Sequence, residues 1–288
     1  MASVTDTVRA LTSNLVVIRG AGDLASAVAY RLFRSGFTIV MLEVPQPTVI
    51  RRRVAFAEAV YEGTAEVEGV QAQLAASAAQ AWEIANQGRI AVLVDPQARC
   101  LSSSGSHPTL SPAVVVDAIL AKKNLGTHKG MAPLVIALGP GFVAGKDVHA
   151  VVETSRGHFL GRALWQGSPA PNTGIPGEVH GYAAERVIRA PAAGTFEGIK
   201  AIGDQIQRGE VVANVMASGL RYPVVALISG VLRGLLRSGL TVYQGMKVGD
   251  VDPRGVRQHC FTISDKGLAI AGGVLEAILA WRHRQPAV

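Results

Sequence analysis

Short apolar runs alternate with helix-like stretches through the first half of the chain. Positions 15–19, 37–42, 90–94 and 134–138 are nearly unbroken apolar runs. Such runs predict strands buried on both faces. Positions 24–35 predict a helix that Gly36 ends. The Ala- and Gln-rich stretch 67–87 predicts another by propensity. A third is predicted over 112–122, with Ser111 as N-cap and Pro112 in the first turn. Asp95-Pro96 closes the third run, a Ser-rich loop covers 99–112, and Gly139-Pro140-Gly141 follows the fourth run. Strand–helix alternation of this kind predicts an α/β class with a Rossmann-like parallel sheet over 1–166.

The texture changes near Gln166. Positions 167–181 hold Pro169, Pro171, Pro176 and several glycines, the composition of a linker. Short glycine-punctuated β runs follow, and 269–284 predicts a closing helix after the Ser264-Asp265 start signal. The β region contains an internal repeat. Shifted by 36 positions, 190–215 lies on 226–251 without a gap. Gly194, Gly198, Gly203 and Gly209 then meet Gly230, Gly234, Gly239 and Gly245. Two interlocked copies resemble a barrel-sandwich hybrid, the fold of biotinyl and lipoyl domains. The second domain is therefore expected over 167–288, with its β core at 187–256 and a C-terminal helix. The link between the copies, 217–225, holds Arg221 and no lysine, and Met246-Lys247 lies inside the second copy. Covalent biotin or lipoate is not expected.

Composition narrows the class. Hydrophobic residues are 49% and charged residues 17% of 288, which excludes a disordered chain. The longest weakly polar stretch, 267–281, contains Glu276 and falls short of the ~20 apolar residues of a membrane span. Positions 1–11 carry Asp6 and Arg9 and no apolar core of a signal peptide. Two cysteines, Cys100 and Cys260, cannot form a disulfide framework, and they fit a cytoplasmic protein. The net charge of +7 suits an acidic small-molecule ligand or protein surface. Aromatic residues are 5% and are not interleaved with the basic ones, so no nucleic acid and no membrane are expected as partners. A homo-oligomer is compatible with all of this.

The strongest local motif is Gly20-Ala21-Gly22-Asp23-Leu24-Ala25, between the first strand and the first helix. It fits GxGxxA, whose glycines let a pyrophosphate approach a helix N-terminus. Glu43, ending the second strand, stands where an acid would grip a ribose hydroxyl. Asp23 brings a negative charge to the phosphate position and serves equally as a helix cap. Arg51, Arg52 and Arg53 offer a phosphate contact or a solvated face. The histidines, His107, His128, His149, His158, His180, His259 and His283, show no metal-binding spacing, so no metal site is expected. Cys260, beside His259, reads as a reactive thiol or a small buried residue. Three loops carry surplus glycine and charge: Lys122-Lys123-Asn124 to Thr127, Gly139 to Asp147, and Glu153-Thr154 with Arg156-Gly157-His158. Candidate cofactor contacts are Gly20, Gly22, Asp23, Ala25, Glu43, Asn124, Thr127, Gly139, Gly141 and Arg156. Candidate catalytic groups are Lys123, Glu153 and His158, and whether the chain turns over a substrate is left open.

Those motifs carry a resemblance. Ile18 to Ala25, Met41-Leu42-Glu43, Val54-Ala55-Phe56, Ala121 to Asn124, Gly139 to Phe142, Arg156-Gly157-His158, Asn172-Thr173-Gly174, Gly249 to Arg254 and Ile263 to Lys266 look like the YqeB family, in order from about residue 14 to 281. The resemblance implies an accessory protein of a selenium-dependent molybdenum hydroxylase system. The chain is also similar to xanthine and carbon monoxide dehydrogenase maturation factors, which carry a Rossmann-like domain and handle molybdenum cofactor. The expected ligand is thus NAD(P), another nucleotide, or molybdenum cofactor. The expected partner is a molybdenum hydroxylase or its maturation machinery. Two other classes stay open: an NAD(P)-dependent oxidoreductase of a small molecule, and a non-catalytic docking adaptor.

Overall fold

The structure, a computed structural model, describes residues 14–101, 110–174 and 177–284. Positions 1–11, most of the Ser-rich loop with His107, and Pro176 lie outside the described residues. The chain divides into two compact units. The first takes its residues from Met1–Pro47, Ala55–Asn172 and Ile263–Val288, and the second from Thr48–Val54 and Thr173–Thr262. The C-terminal helix thus belongs to the first unit.

The first unit holds a nine-stranded sheet: β1 (Leu15–Arg19), β2 (Thr38–Glu43), β3 (Thr64–Val67), β4 (Val70–Ala75), β5 (Ile90–Val94), β6 (Val114–Asp117), β7 (Leu134–Leu138), β8 (Ala150–Val152) and β9 (Ala163–Leu164). Their order is β3-β4-β5-β2-β1-β6-β7-β8-β9. From β4 to β8 every pairing is parallel, whereas β3–β4 and β8–β9 are antiparallel. The helices are α1 (Asp23–Arg34), α2 (Ala59–Glu62), α3 (Ala78–Asn86) and α4 (Asp265–Arg284). Strand alternation sends Leu15, Val17, Val40, Leu42 and Leu93 into one core with Ala81, Ile84 and Ala85 of α3. Ile18, Ile39, Met41, Ile136 and Leu138 are also fully buried. Burial of each such side chain contributes about 1.5–3 kcal/mol. Helices α1 and α4 pack on each other, and α4 also packs on β7, β8 and β9.

The sheet corrects the expected Rossmann-like fold. It is mixed, because a β3–β4 hairpin and an antiparallel β9 close its two margins. Two predicted helices fail for local reasons. Within 67–87, the buried–exposed alternation of β4 outweighs Ala and Gln propensity, and α3 begins only after Ser77, whose side chain accepts from the Gln80 N–H at 3.2 Å. Within 112–122, Val114, Val115 and Val116 are β-branched and fully buried, and they enter the sheet as β6.

The second unit has two four-stranded antiparallel sheets, built from β10 (Val187–Arg189), β11 (Gly194–Gly198), β12 (Gln205–Ile206), β13 (Val211–Ala217), β14 (Leu220–Val225), β15 (Gly230–Leu235), β16 (Thr241–Val242) and β17 (Lys247–Asp252). The orders are β10-β17-β15-β12 and β14-β13-β11-β16. Adding 36 to the residue numbers turns β11, β12 and β13 into β15, β16 and β17. Each copy lends its short strand to the other copy's sheet. The bonds repeat as well. The Gly209 N–H donates to the Ala226 carbonyl, and the Gly245 N–H to the Ala190 carbonyl, at 2.8 Å each. This unit also departs from the expected barrel-sandwich hybrid. Its strands form two separate four-stranded antiparallel sheets, and the offset runs beyond the copies read in the sequence, because β10 shifted by 36 falls on 223–225 of β14 with matching partners, Val187 with Asp250 and Pro223 with Asn214.

Candidate functional site

The carboxyl ends of β1, β2, β6, β7 and β8 form one edge of the mixed sheet, and the polar loops leave from there. β1 sits between β2, which it reaches through α1, and β6, so the chain changes direction across the sheet at this strand. Open α/β sheets bind ligands outside the carboxyl ends at such a point.

Glycines at this edge allow loop to touch loop. Gly20 has φ +95°, and a Cβ there would lie 3.0 Å from the Ala118 carbonyl oxygen. A Cβ on Gly141, at φ +113°, would lie 2.8 Å from the Lys123 nitrogen. One on Gly139 would overlap the Thr154 hydroxyl. The Arg156 guanidinium meets the Asp265 carboxylate at 3.1 Å, at the start of α4. Gly161 lies against Ala269, and Gly267 against Ala27 of α1. These contacts close a ring: Gly20 loop, 118–123, Gly139–Gly141, Thr154–Arg156, first turn of α4, α1.

Desolvation disfavours the charged form of two lysines of the ring, Lys122 and Lys266. Burial lowers the Lys122 pKa. Burial, then the Arg156 and Lys122 charges, lower that of Lys266, against the opposing pull of Asp23 and Glu153. Lys122 also has φ +63° and Leu120 φ +60°, left-handed values that side chains other than glycine rarely adopt.

Several predicted residues are spent inside the protein. The Ala21 N–H donates to Glu43 Oε2 at 2.7 Å and the Val44 N–H to Oε1 at 2.8 Å. Burial raises the Glu43 pKa, and those two bonds partly offset it. Gly22 has φ −65°, which any residue can adopt. Ala25 is buried in α1, and Asp23 begins that helix. The Asn124 side chain accepts from the Gly126 and Thr127 N–H groups and donates to the Thr127 carbonyl. The buried Thr127 hydroxyl donates to Asp117 and accepts from Arg19. Asn124 and Thr127 thus shape the loop that carries Lys122, and buried Arg19 and Asp117 anchor it. Glu153 is buried and takes the Ser155 and Ala170 N–H groups at 2.6 and 2.7 Å. Lys123 and His158 are exposed, and the His158 ring stands edge-on to Phe159 at 5.1 Å.

Sequence reasoning did not select Lys266 as a site residue. Its signal was the charged Asp265-Lys266 pair at a helix start. In the second unit, Arg51 and Arg52 serve carbonyls rather than a phosphate: Arg51 donates to His259 and Thr262 at 3.3 Å, and Arg52 to Leu235 at 2.8 Å. Cys260 is fully buried, and burial raises its pKa, so it is not an activated thiol. An open cleft of about 400 Å³ in that unit is lined by Val187, Ile188, Pro191, Pro223, Val224 and Leu227 among others, and by none of the predicted site residues. Among the described residues, no group of three or more His, Cys, Asp or Glu is placed to hold a metal, and no helix is long and apolar enough to cross a membrane.

Fold and edge together define an α/β protein with a ring of polar loops on a mixed sheet and a symmetric β module. The chain is 51% identical over 270 residues to "Uncharacterized protein YqeB" of Escherichia coli strain K12, a match covering 94% of this chain. That likeness supports membership of the YqeB family. The chain spans about half, 48%, of that relative's length. No family model matches. Among solved structures, the chain is similar to the ectoine utilization protein EutE (DoeB) of Ruegeria pomeroyi in its product-bound form, at 12% identity and TM-score 0.24, covering 87% of this chain and 63% of that one. It is also similar to an aspartoacylase family protein of Mesorhizobium loti, at 12% identity and TM-score 0.26, covering 83% and 84%. A third, a succinylglutamate desuccinylase/aspartoacylase of Rhodobacter sphaeroides, is 18% identical with TM-score 0.22, covering 31% and 29%. Scores this low carry no argument about activity, and the corrected fold rests on sheet order and strand direction.

Proposed function

We propose that the chain is an accessory protein of a molybdenum hydroxylase system, selenium-dependent as the family resemblance implies, and that it binds a phosphate-bearing cofactor or nucleotide at the sheet edge. One observation carries the ligand class: Lys122, Arg156 and Lys266, far apart in the chain, share one ring beside the N-terminal end of α1. Cations and a helix N-terminus gathered in one place favour an anion. A cofactor such as a nucleotide or a phosphorylated pterin fits these residues through its phosphate. It would supply its own chemistry. The chain would orient and shield it and deliver it to a client enzyme.

The test has two arms. Mass spectrometry of small molecules released from freshly purified protein should find a phosphate-bearing compound. Deleting the gene should abolish a molybdenum hydroxylase activity that the wild-type chain restores. Unchanged hydroxylase activity in the deletion would end the accessory role, and a ligand without phosphate would end the proposed chemistry of the edge.

A further inference from the structure

We infer that Phe159, on the loop after β8, stacks on a flat ring of the ligand, so that the anion taken at the sheet edge is the phosphate ester of a planar nitrogen heterocycle, a purine or a pterin, and not an aliphatic phosphate. This rests on the reading of the sheet edge as the ligand site and adds a contact that its cations cannot make.

The loop that carries Phe159 is fixed at its base. The Gly161 N–H donates to the Glu153 carbonyl at 2.9 Å, and the Glu153 N–H to the Arg162 carbonyl at 3.0 Å. Gly161 also packs on α4, where a Cβ would lie 2.5 Å from the Ala269 carbonyl oxygen. Within the loop, the Leu160 N–H donates to the Gly157 carbonyl at 3.2 Å and the Arg162 N–H to that of Phe159 at 3.0 Å. The turn holds the ring in place without burying it. Phe159 is 57% exposed, more than any other large apolar side chain among the described residues of the first unit. The Arg162 guanidinium lies over the ring, 4.9 Å from its centroid, and His158 meets its edge. A cation thus covers one face, and the exposure leaves the other to a ligand.

Exposed apolar side chains gather at this edge. Val44 follows β2, Val94 ends β5, Leu125 lies in the loop after β6 and Phe159 in the loop after β8. All four stand at the carboxyl ends of parallel strands. Single exposed apolar residues are ordinary, but a set gathered around polar loops marks a ligand groove. The strands β6 and β8 are two places apart in the sheet, a distance of about 10 Å. Phe159 follows Arg156 by three residues, a reach of at most about 10 Å. A phosphate near Arg156 and a ring on Phe159 therefore fit one small molecule. Phe159 is the aromatic member of this exposed set, and an aromatic face selects flat rings over aliphatic chains.

The test compares three probes with the same diphosphate end on the full chain, by calorimetry at low salt: inorganic pyrophosphate, ADP and hydroxymethylpterin diphosphate. One of the two ring-bearing probes should bind wild type about tenfold more tightly than pyrophosphate, the scale of a single ring–aromatic stack, and the one that does so names the ring. Phe159→Leu should remove that advantage and leave pyrophosphate binding unchanged, whereas Phe159→Trp should keep it. Neither variant should lower the melting temperature, since the ring is exposed. If both ring-bearing probes bind no better than pyrophosphate, or if Phe159→Leu keeps the advantage, the stacking contact is wrong and the edge survives as an anion site. If no probe binds wild type, the phosphate reading of the edge fails along with it. A marked fall in melting temperature for both Phe159 variants would make the residue structural and overturn the inference.

Discussion

The matched turns of the β module and the ring at the sheet edge solve the same backbone problem in opposite ways. In the module, Gly203 and Gly239 have φ +101° and +88°, and Gly209 and Gly245 have +85° and +83°. Glycine takes left-handed values without a Cβ penalty, so both copies carry the residue their turns need. At the edge, similar values fall on Leu120 and Lys122, where the penalty is real. Charge does not divide the two regions: each has an ion pair, Arg186–Asp250 at 3.0 Å in the module and Arg156–Asp265 at 3.1 Å in the ring, and each has cations whose pKa burial lowers, Arg233 in the module and Lys122 and Lys266 in the ring. One region puts glycine where its turns need it. The other keeps backbone strain at Leu120 and Lys122, the kind of strain that clusters at functional sites.

The largest effects should come from breaking the module's symmetry. A Cβ at Gly230 would overlap the Asp252 carbonyl oxygen, and one at Gly194 would overlap the Met216 carbonyl oxygen. Those oxygens are themselves a matched pair across the repeat. Gly230→Ala and Gly194→Ala should each cost about 3 kcal/mol in denaturant unfolding, the upper range for forced overpacking. One tolerant copy beside one intolerant copy would show that the repeat is not energetically equivalent.

Acid should act next. Asp252 is fully buried. Burial works against its charge, but the Arg254 side chain and N–H, with Arg233, hold its pKa at about 2, against an ordinary 3.8. A carboxyl depressed in the folded state contributes stability above its unfolded value and loses it as pH falls through the folded value. About 2 kcal/mol should disappear between roughly pH 4 and pH 2. Asp252→Asn should remove most of that acid dependence. Lys266 acts in another window. Its folded pKa is lowered, so the unfolded chain binds more protons and stability rises toward the ordinary lysine value of 10.5. Lys266→Met should flatten that alkaline rise, and a persisting rise would assign it to another group, Lys122 first.

The two regions were unequally legible. The repeat could be read because its glycines answer local needs and recur without a gap, and β-sheet bonding then follows the same offset. The strands β1, β2, β5 and β7 were legible because buried parallel strands are continuous apolar runs. The stretch 67–87 misled because Ala and Gln favour a helix, while the alternation that marks β4 spans only Val70–Ala75. The stretch 112–122 misled because a good N-cap signal precedes three valines that belong in a strand. Correcting it moved Lys122 and Lys123 from the end of a helix to the exit of β6, directly at the edge. Arg19 and Lys266 stayed hidden for a different reason. The groups around them, Asp117 and Thr127 for one and Lys122, Arg156, Asp23 and Glu153 for the other, are distant in the chain. Nothing in local spacing announces a pairing made by the order of strands.

The smallest effect tests the contrast most directly. If Lys122 is kept in a left-handed conformation at a cost, Lys122→Gly should stabilise the free protein by about 0.5–1 kcal/mol, since glycine removes the Cβ penalty and gives back part of the gain as unfolded-chain entropy. Lys122→Ala should not bring the backbone gain, because alanine keeps the penalty while losing the same amine. Comparing the two separates backbone strain from loss of the charge, which both substitutions share. Gly141 packs on the backbone at this point, so neither change opens that contact. Thermal melting without ligand should rank glycine above alanine, and pyrophosphate binding should be weakened in both. Equal stability of the two variants would mean that the ring stores no backbone strain at Lys122, leaving Leu120 to carry the contrast with the module.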